Sequence, residues 1–385
     1  IFDIYYFGLI IVLLFTIYRC HKNSIETFSY VKEGEKKVAV YGCNFGNFRG
    51  ELNKGIDNIV FDPNIDYYFF TDNEKMETKL EFNDRLLSLG LARVSEAAAI
   101  AAAKFIGSGD EKRADQAAVD FMRNEFNKID MDGKIVIGEG EMDEAPMLYI
   151  GERVGTSKGQ KLDLAVDPLE GTNFVAKNLP NSFSVLAVAE HNNLFFAPDT
   201  YMEKIAIGTN LPENLVDLDY SVEKNISLLA DAKKTTPDKL TVCILDRPRH
   251  QNTISTLKDM KVNLKLITDG DVSGVIYVVD KKFPVDMYMG IGGGPEGVLA
   301  AAALSCHGGQ IQTRLVLNEE ESIRAKKMGI TDLKKKYNLE DMIKGDVMFC
   351  ATAITNGDLA AGINDQKDFF EATTIALHKN NNINL

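Results

Sequence analysis

Apolar and polar positions change rhythm several times along the chain, and each change marks an element. Residues 4–18, IYYFGLIIVLLFTIY, form an almost unbroken apolar run closed by Arg19, His21 and Lys22. The run reads as a signal anchor or a short membrane span, although it is shorter than the ~20 residues that cross a bilayer comfortably and has Asp3 at its edge. A buried hydrophobic helix is the alternative. A secretory signal peptide fits poorly, because no basic leader and no small-residue cleavage site accompany the run. Ile1 in place of an initiator Met raises the expectation that the true start is missing. A polar stretch to about Lys36 follows, then KKVAVYGCNFGNFRG, a strand pattern ending in a Gly/Asn-rich turn, and a second strand pattern, IDYYFFTDN, at 65–73.

From Asn83 the period becomes helical. NDRLLSLGLARVSEAAAIAAAKFIG predicts an Ala-rich helix with Asn83 as N-cap and Gly107 as stop, and a second helix is expected over about 114–127. Short apolar strands follow at 134–137 and 162–166, each running into an acidic turn. Further strands are expected at 184–188, 241–245, 264–268, 274–279 and 347–352, and a helix at 297–306 after a glycine-rich loop. Strands alternate with helices, so the fold class is α/β with a layered architecture.

The 385 residues allow two domains with substantial cores. Apolar residues make up 45% and charged residues 26%, an ordinary globular balance. Lys and Arg number 43 against 56 for Asp and Glu, a net charge of -13 that repels a phosphodiester backbone and argues against nucleic-acid binding. A small anion is not excluded, because carboxylates that trap divalent cations reverse the local field. The five cysteines are scattered without CxxC or zinc spacing, which points to reduced thiols and a reducing compartment.

Asp167-Pro168-Leu169-Glu170-Gly171-Thr172 carries the most chemistry. Asp167 stands where an apolar strand stops, Pro168 fixes the backbone, and Glu170 to Thr172 open a new element with free N–H groups. Carboxylates at a strand end can hold hard cations, while N–H groups receive a phosphate oxygen. A second acidic strand end contains Glu139, Glu141, Asp143 and Glu144. A solvated acidic loop is the alternative there, but an apolar strand feeding clustered acids calls for a compensating cation.

GDEKRADQAAVDFMR, IVIGEGEMDEAPMLYIGERVG, LDLAVDPLEGTNF, APDTYMEK, RPRH, DGDV, GIGGGPEGV and ATAITNGDL, in this order, resemble the class II fructose-1,6-bisphosphatase family over approximately residues 84–376. The resemblance implies the layered α-β-α-β-α sandwich of two subdomains that this family shares with inositol monophosphatases and lithium-sensitive sugar phosphatases. It implies hydrolysis of the 1-phosphate of fructose 1,6-bisphosphate in gluconeogenesis or a sugar-phosphate cycle, with two or more divalent ions, Mn2+ or Mg2+. Asp115 and Glu139 would bind a first ion, and Asp167, Glu170 and Glu296 a second. Glu170, Gly171 and Thr172 would cradle the transferable phosphate, with Thr172 positioning water and Glu139 or Asp143 as base. Tyr201 would stack on or hydrogen-bond the ligand, Arg247 with Arg249 would meet the distal phosphate, and Pro248 between them would belong to the same substrate-binding set. Asp269, Gly270 and Asp271 would take sugar hydroxyls, and Gly293 would allow close backbone approach. Taken alone, Tyr201 reads as a core aromatic, the arginines as surface charges and Asp269 to Asp271 as a turn.

The corresponding division is a hydrophobic segment over 1–24, an appended strand-rich segment over 25–80, a metal and phosphate subdomain over 83–240 and a sugar subdomain over 241–385. The sequence departs from the family at Asn173, where many relatives carry Arg, and at Glu111, where some carry Lys. The closing HKNNNINL stops before the basic strand that relatives have, which predicts a truncated C-terminus. Sedoheptulose 1,7-bisphosphate is the nearest rival substrate. Residues 37–73 resemble the opening strands of glycosyltransferase-like domains, so a membrane-anchored transferase is the reading of a different class. Expected partners are a sugar bisphosphate, a second copy of the chain in a homo-oligomer, and a membrane through residues 4–18 only. The phosphatase body is expected in the cytoplasm, or membrane-anchored if the N-terminal segment is genuine.

Overall fold

The long apolar strands carry hydrophobic side chains on both faces, and such a strand is stable only where both faces are covered. The computed structural model describes residues 30–33, 36–39, 85–138, 147–366 and 369–379. Tyr30–Glu33 (β1) and Lys36–Ala39 (β2) pair as an antiparallel hairpin. The apolar run at 4–18 and the strand expected at 65–73 lie outside the described residues.

The body starts with two helices, α1 (Arg85–Ala103) and α2 (Glu111–Phe126), the second N-capped by Asp110, whose Oδ1 accepts from Arg113 N at 3.1 Å. Strands β3 (Met131–Ile137), β4 (Arg153–Val154) and β5 (Gln160–Glu170) follow, then the short helix α3 (Thr172–Ala176) and β6 (Phe183–Glu190). Next come β7 (Tyr201–Ile207), α4 (Val222–Ala232), β8 (Thr241–Leu245), α5 (Gln251–Asp259), β9 (Asn263–Ile267) and α6 (Asp271–Ile276). The chain continues through β10 (Met287–Gly293), α7 (Gly294–His307), β11 (Gln310–Val316), α8 (Glu319–Lys327), β12 (Tyr337–Asn338) and α9 (Leu339–Met342). It closes with β13 (Val347–Ala353), a small hairpin of β14 (Asn364–Asp365) and β15 (Phe370–Glu371), and β16 (Thr374–His378).

Two six-stranded sheets result, ordered β16-β13-β6-β5-β3-β4 and β12-β11-β7-β10-β8-β9. Alternation along the strands sorts their side chains into three cores. In β6, Phe183, Val185, Ala187 and Ala189 enter the core between the sheets, while Leu186 and Val188 pack with Leu91, Val94, Ala118 and Met122 of α1 and α2. In the second sheet Cys243 and Tyr288 face the middle core, and Val242, Ile244, Met287 and Met289 pack with Ile226, Leu229, Ile254 and Leu257 of α4 and α5. Helix α7 lies in the middle, buried from Val298 to Cys306. Its apolar residues on every side fit a helix flanked by sheets, and its run of alanines lets both sheets approach. The architecture is therefore the expected α-β-α-β-α sandwich.

Three local expectations are corrected. The segment 274–279, expected as a strand, is helix α6 and its C-terminal turn, because Gly270 at φ 79° turns the chain and the middle layer buries the segment from both sheets. Burial from both sides yields an apolar run in either element, so periodicity does not separate them. The glycine-rich segment before Pro295, expected as a loop, is the end of strand β10 leading into α7. The strand expected at 162–166 continues to Glu170, with a register shift against β6 between Asp167 and Glu170. The sheets do not divide at residue 240: β7 joins the second sheet before it, and β13 and β16 return to the first after it.

Candidate active site

The register shift places the acids of DPLEGT. Asp167 pairs with Val185 and Glu170 with Phe183, so three steps on β5 match two on β6 and one extra residue is accommodated as a bulge. Asp167 is buried, and its Oδ1 accepts from Leu169 N at 3.1 Å across that bulge. Glu170 is buried too: its carbonyl accepts from Ser182 Oγ at 2.8 Å, and its Oε1 accepts from Val272 N at 2.9 Å. The second contact ties the first sheet to the start of α6. Gly171 then turns at φ 78° beneath the Phe174 ring, where a Cβ would stand 2.8 Å from the ring edge, and Thr172 opens α3. Only glycine adopts that turn in that space without cost.

The opposite wall comes from β7, α6 and the β10–α7 junction. Lys204 of β7 is almost wholly buried and pairs with Asp271 Oδ2. Both lie against Gly292, where a Cβ would overlap the Asp271 carboxylate, and the Glu296 carboxylate folds over Gly293, where a Cβ would overlap it in turn. The two glycines exist in the strand because charged groups take the space that side chains would fill. Lys204 was missed by sequence reasoning; the APDTYMEK motif that contains it was the only signal.

These carboxylates raise one another's proton affinity. Burial pushes Glu170 well above the usual carboxylate range, with Asp271, Glu296 and Asp269 adding to the effect and the Val272 N–H opposing it. Burial and then Asp271 push Glu296 up to about 7, against Lys204, which lowers it. Burial alone raises Asp115, on α2, to about 6. Asp269 is raised by burial, partly offset by the Gly270 N–H and by Arg247, whose Nη2 is 4.0 Å from Asp269 Oδ2.

A third group lies at the end of β10. Arg249 donates through Nε and Nη2 to Ile291 O at 2.9 and 2.7 Å, and its guanidinium carbon lies 5.0 Å from the centre of the exposed Tyr201 ring. Pro248 opens the one-turn helix that carries Arg249 and His250. His250 has both ring nitrogens engaged: Nδ1 with Leu245 O at 2.8 Å, and Nε2 accepting from Ile291 N at 2.8 Å. It props the segment and has no nitrogen left for proton transfer.

Of the predicted site residues, Glu170, Asp269, Gly270, Asp271, Gly293 and Glu296 are brought together, with Asp167 next to them on β5. Arg247, Pro248, Arg249 and Tyr201 form the neighbouring cationic group. Helix α2, which carries Asp115, packs against α3 and β5, the elements that carry Thr172 and Asp167. Glu139 and Asp143 lie outside the described residues. Among the described residues no three His, Cys, Asp or Glu side chains converge closely enough to form a ready-made ion cage.

The side chains nonetheless fit a divalent cation. Asp115 Oδ1, Glu170 Oε2 and Glu296 Oε2 are buried with no hydrogen-bond partner. Buried polar atoms are rarely left in that state, and carboxylate oxygens are hard donors suited to hard ions.

Residues 85–384 match the family described as bacterial fructose-1,6-bisphosphatase, glpX-encoded. The chain belongs to this family. It is 41% identical over 308 residues to the fructose-1,6-bisphosphatase class 2 of Haemophilus influenzae, an alignment covering 76% of this chain and 92% of the relative. It is 42% identical over 306 residues to a Synechococcus protein named D-fructose 1,6-bisphosphatase class 2/sedoheptulose 1,7-bisphosphatase, covering 73% of this chain and 88% of that protein. The family match begins at α1, so the segment before residue 85 stands outside it. Membership makes the chain a phosphoric monoester hydrolase, and the buried acids Glu170, Asp271 and Glu296 meet where β5 reaches α6 and α7.

Proposed function

We propose that this protein hydrolyses the 1-phosphate of fructose 1,6-bisphosphate to fructose 6-phosphate and inorganic phosphate, using two or more divalent ions, Mn2+ or Mg2+. The observation that carries the proposal is the trio of buried, partnerless carboxylate oxygens on Asp115, Glu170 and Glu296, in a chain that aligns along most of the length of its class 2 relatives. On this reading Asp115 and Glu139 hold the first ion, and Asp167, Glu170 and Glu296 the second. Divalent ions held there would offset the charge of the phosphate and make a bound water more acidic. Gly171 and Thr172 receive the phosphate oxygens, and the Thr172 hydroxyl orients the attacking water. Glu139 or Asp143 would take the water's proton as the new P–O bond forms and the bond to the sugar oxygen breaks, and that oxygen would take up a proton from solvent as it leaves. Tyr201, Arg247, Pro248 and Arg249 bind the distal phosphate, while Asp269, Gly270 and Asp271 accept from sugar hydroxyls. Arg249 has used two of its five N–H groups on Ile291 O, and the rest suit an anion.

Sedoheptulose 1,7-bisphosphate is the second substrate to test, because a Synechococcus relative carries both activities in its name. The distal arginines would discriminate weakly against one extra hydroxymethine. The body acts in the cytoplasm as a homo-oligomer on this reading; the cytoplasmic part accords with Cys243, Cys306 and Cys350, which are buried and not joined in a disulfide. Purified protein with Mn2+ or Mg2+ is expected to release phosphate from fructose 1,6-bisphosphate, and Glu139→Gln to lower kcat by about 100-fold or more. Absence of phosphate release from both bisphosphates rejects the proposal.

A further inference from the structure

The TNGDL segment stands out in the sequence, yet no step above uses it. It leaves the end of β13 and is fixed first to the loop before β6. Ile354 N donates to Ser182 O at 2.8 Å, and Ser182 N donates to Thr355 Oγ1 at 3.0 Å. Asn181 N donates to Asn356 O at 3.2 Å, and Asp358 N donates to Asn181 Oδ1 at 2.7 Å. Ser182 is the residue whose Oγ holds the Glu170 carbonyl, so the segment shares its anchor with the phosphate-binding turn.

From that anchor the Asp358 side chain crosses to the second sheet. Its Oδ2 accepts from Lys265 Nζ at 2.8 Å and from Tyr277 Oη at 3.2 Å. Lys265 belongs to β9, and its ammonium lies 4.5 Å from the centre of the Tyr277 ring. Tyr277, itself buried, is the C-terminal cap of α6. Helix α6 is thus tied to the first sheet at both ends: at its start by Glu170 Oε1 to Val272 N, and at its end by Asp358 to Tyr277. Asp269, Gly270 and Asp271 lie immediately before it or at its first residue, with Arg247 4.0 Å from Asp269.

We propose that Asp358 is a positioning residue that sets the spacing between the half of the site that cleaves phosphate and the half that recognises the sugar. This inference rests on the bisphosphatase reading above. Asp358 and Lys265 are 44% and 30% exposed, and an ion pair so accessible to water contributes little to stability. Its geometric effect is larger, because displacing the groups that bind the sugar and second phosphate lowers kcat/KM for a substrate that needs both halves. A substrate without a sugar or a second phosphate needs only the cleaving half.

The test compares fructose 1,6-bisphosphate with p-nitrophenyl phosphate on the full chain with Mn2+. Asp358→Ala is expected to raise KM for the bisphosphate about 10-fold, since uniform binding is what the displaced groups supply, while p-nitrophenyl phosphate turnover stays within about twofold. Tyr277→Phe should reproduce part of the effect, and Asp358→Asn, which keeps an acceptor oxygen, should relieve part of it. Equal losses on both substrates, or no change on either, overturn the positioning role. A wild type that cleaves p-nitrophenyl phosphate alone overturns the bisphosphatase reading and this proposal with it.

Discussion

Glu296 shows how one side chain links burial, charge and metal. Its carboxyl titrates near 7 in the fold against an ordinary 4.5, so the folded chain keeps a proton that the unfolded chain has lost between those values. Stability of the metal-free protein from this group is full below about pH 4.5 and is lost as pH rises through 7, by an amount on the order of 3 kcal/mol. A divalent ion competes with the same proton, so metal affinity should climb over that window and each binding event should release protons. Glu296→Gln removes the titration but keeps the shape. Without metal, its melting temperature should fall less steeply between pH 5 and 7.5 than that of the wild type. With Mn2+, it should gain little. Parallel pH slopes for the two proteins would contradict this account of Glu296.

At the scale of elements, the β10–α7 junction shows what the sequence could and could not convey. The acids were conspicuous because they stand at strand ends and glycine turns beside apolar runs, and the structure buries Asp167, Glu170 and Asp271 there. Glycines at the end of β10 read as a flexible loop, since a side chain missing from a sequence does not reveal what fills its place. Here Asp271 and Lys204 fill it at Gly292, and the Glu296 carboxylate at Gly293. Lys204 was hidden for a related reason: lysines are almost never fully buried unless paired, and Asp271 is 67 residues away in sequence. Helix α6 was misread because burial from two sheets makes a helix apolar all round. The backbone at Gly293 is ordinary, φ -64° and ψ 149°, so alanine there meets no conformational penalty. Its Cβ would displace the Glu296 carboxylate, and Gly293→Ala should therefore lower kcat/KM at fixed Mn2+ at least about 10-fold with far-UV circular dichroism unchanged. An active variant with unaltered metal dependence would show that the carboxylate reaches its place by another route.

Across the described residues, the five layers put the buried acids Glu170, Asp271 and Glu296 at the edge of the middle layer that the two sheets share. The fold class followed from alternating elements, whereas the crossing of β7 into the second sheet and the return of β13 and β16 to the first are tertiary choices that no local pattern encodes. Each sheet has its own outer core with its own helices, and the sheets share the middle core around α7. Buried carboxylates in that shared layer oppose its closure, and a cation among them reverses the sign. Metal should thus stabilise the contact between sheets more than either sheet alone. At 100 times its dissociation constant Mn2+ should add about 2.7 kcal/mol to global stability, visible as a melting temperature that rises with metal concentration. Amide exchange should slow most in α6, at the end of β10 and at the start of α7, and least in α4 and α5 on the far side of the second sheet. Uniform protection across all helices would mean that the ion acts on the fold as a whole rather than on the layer between its sheets.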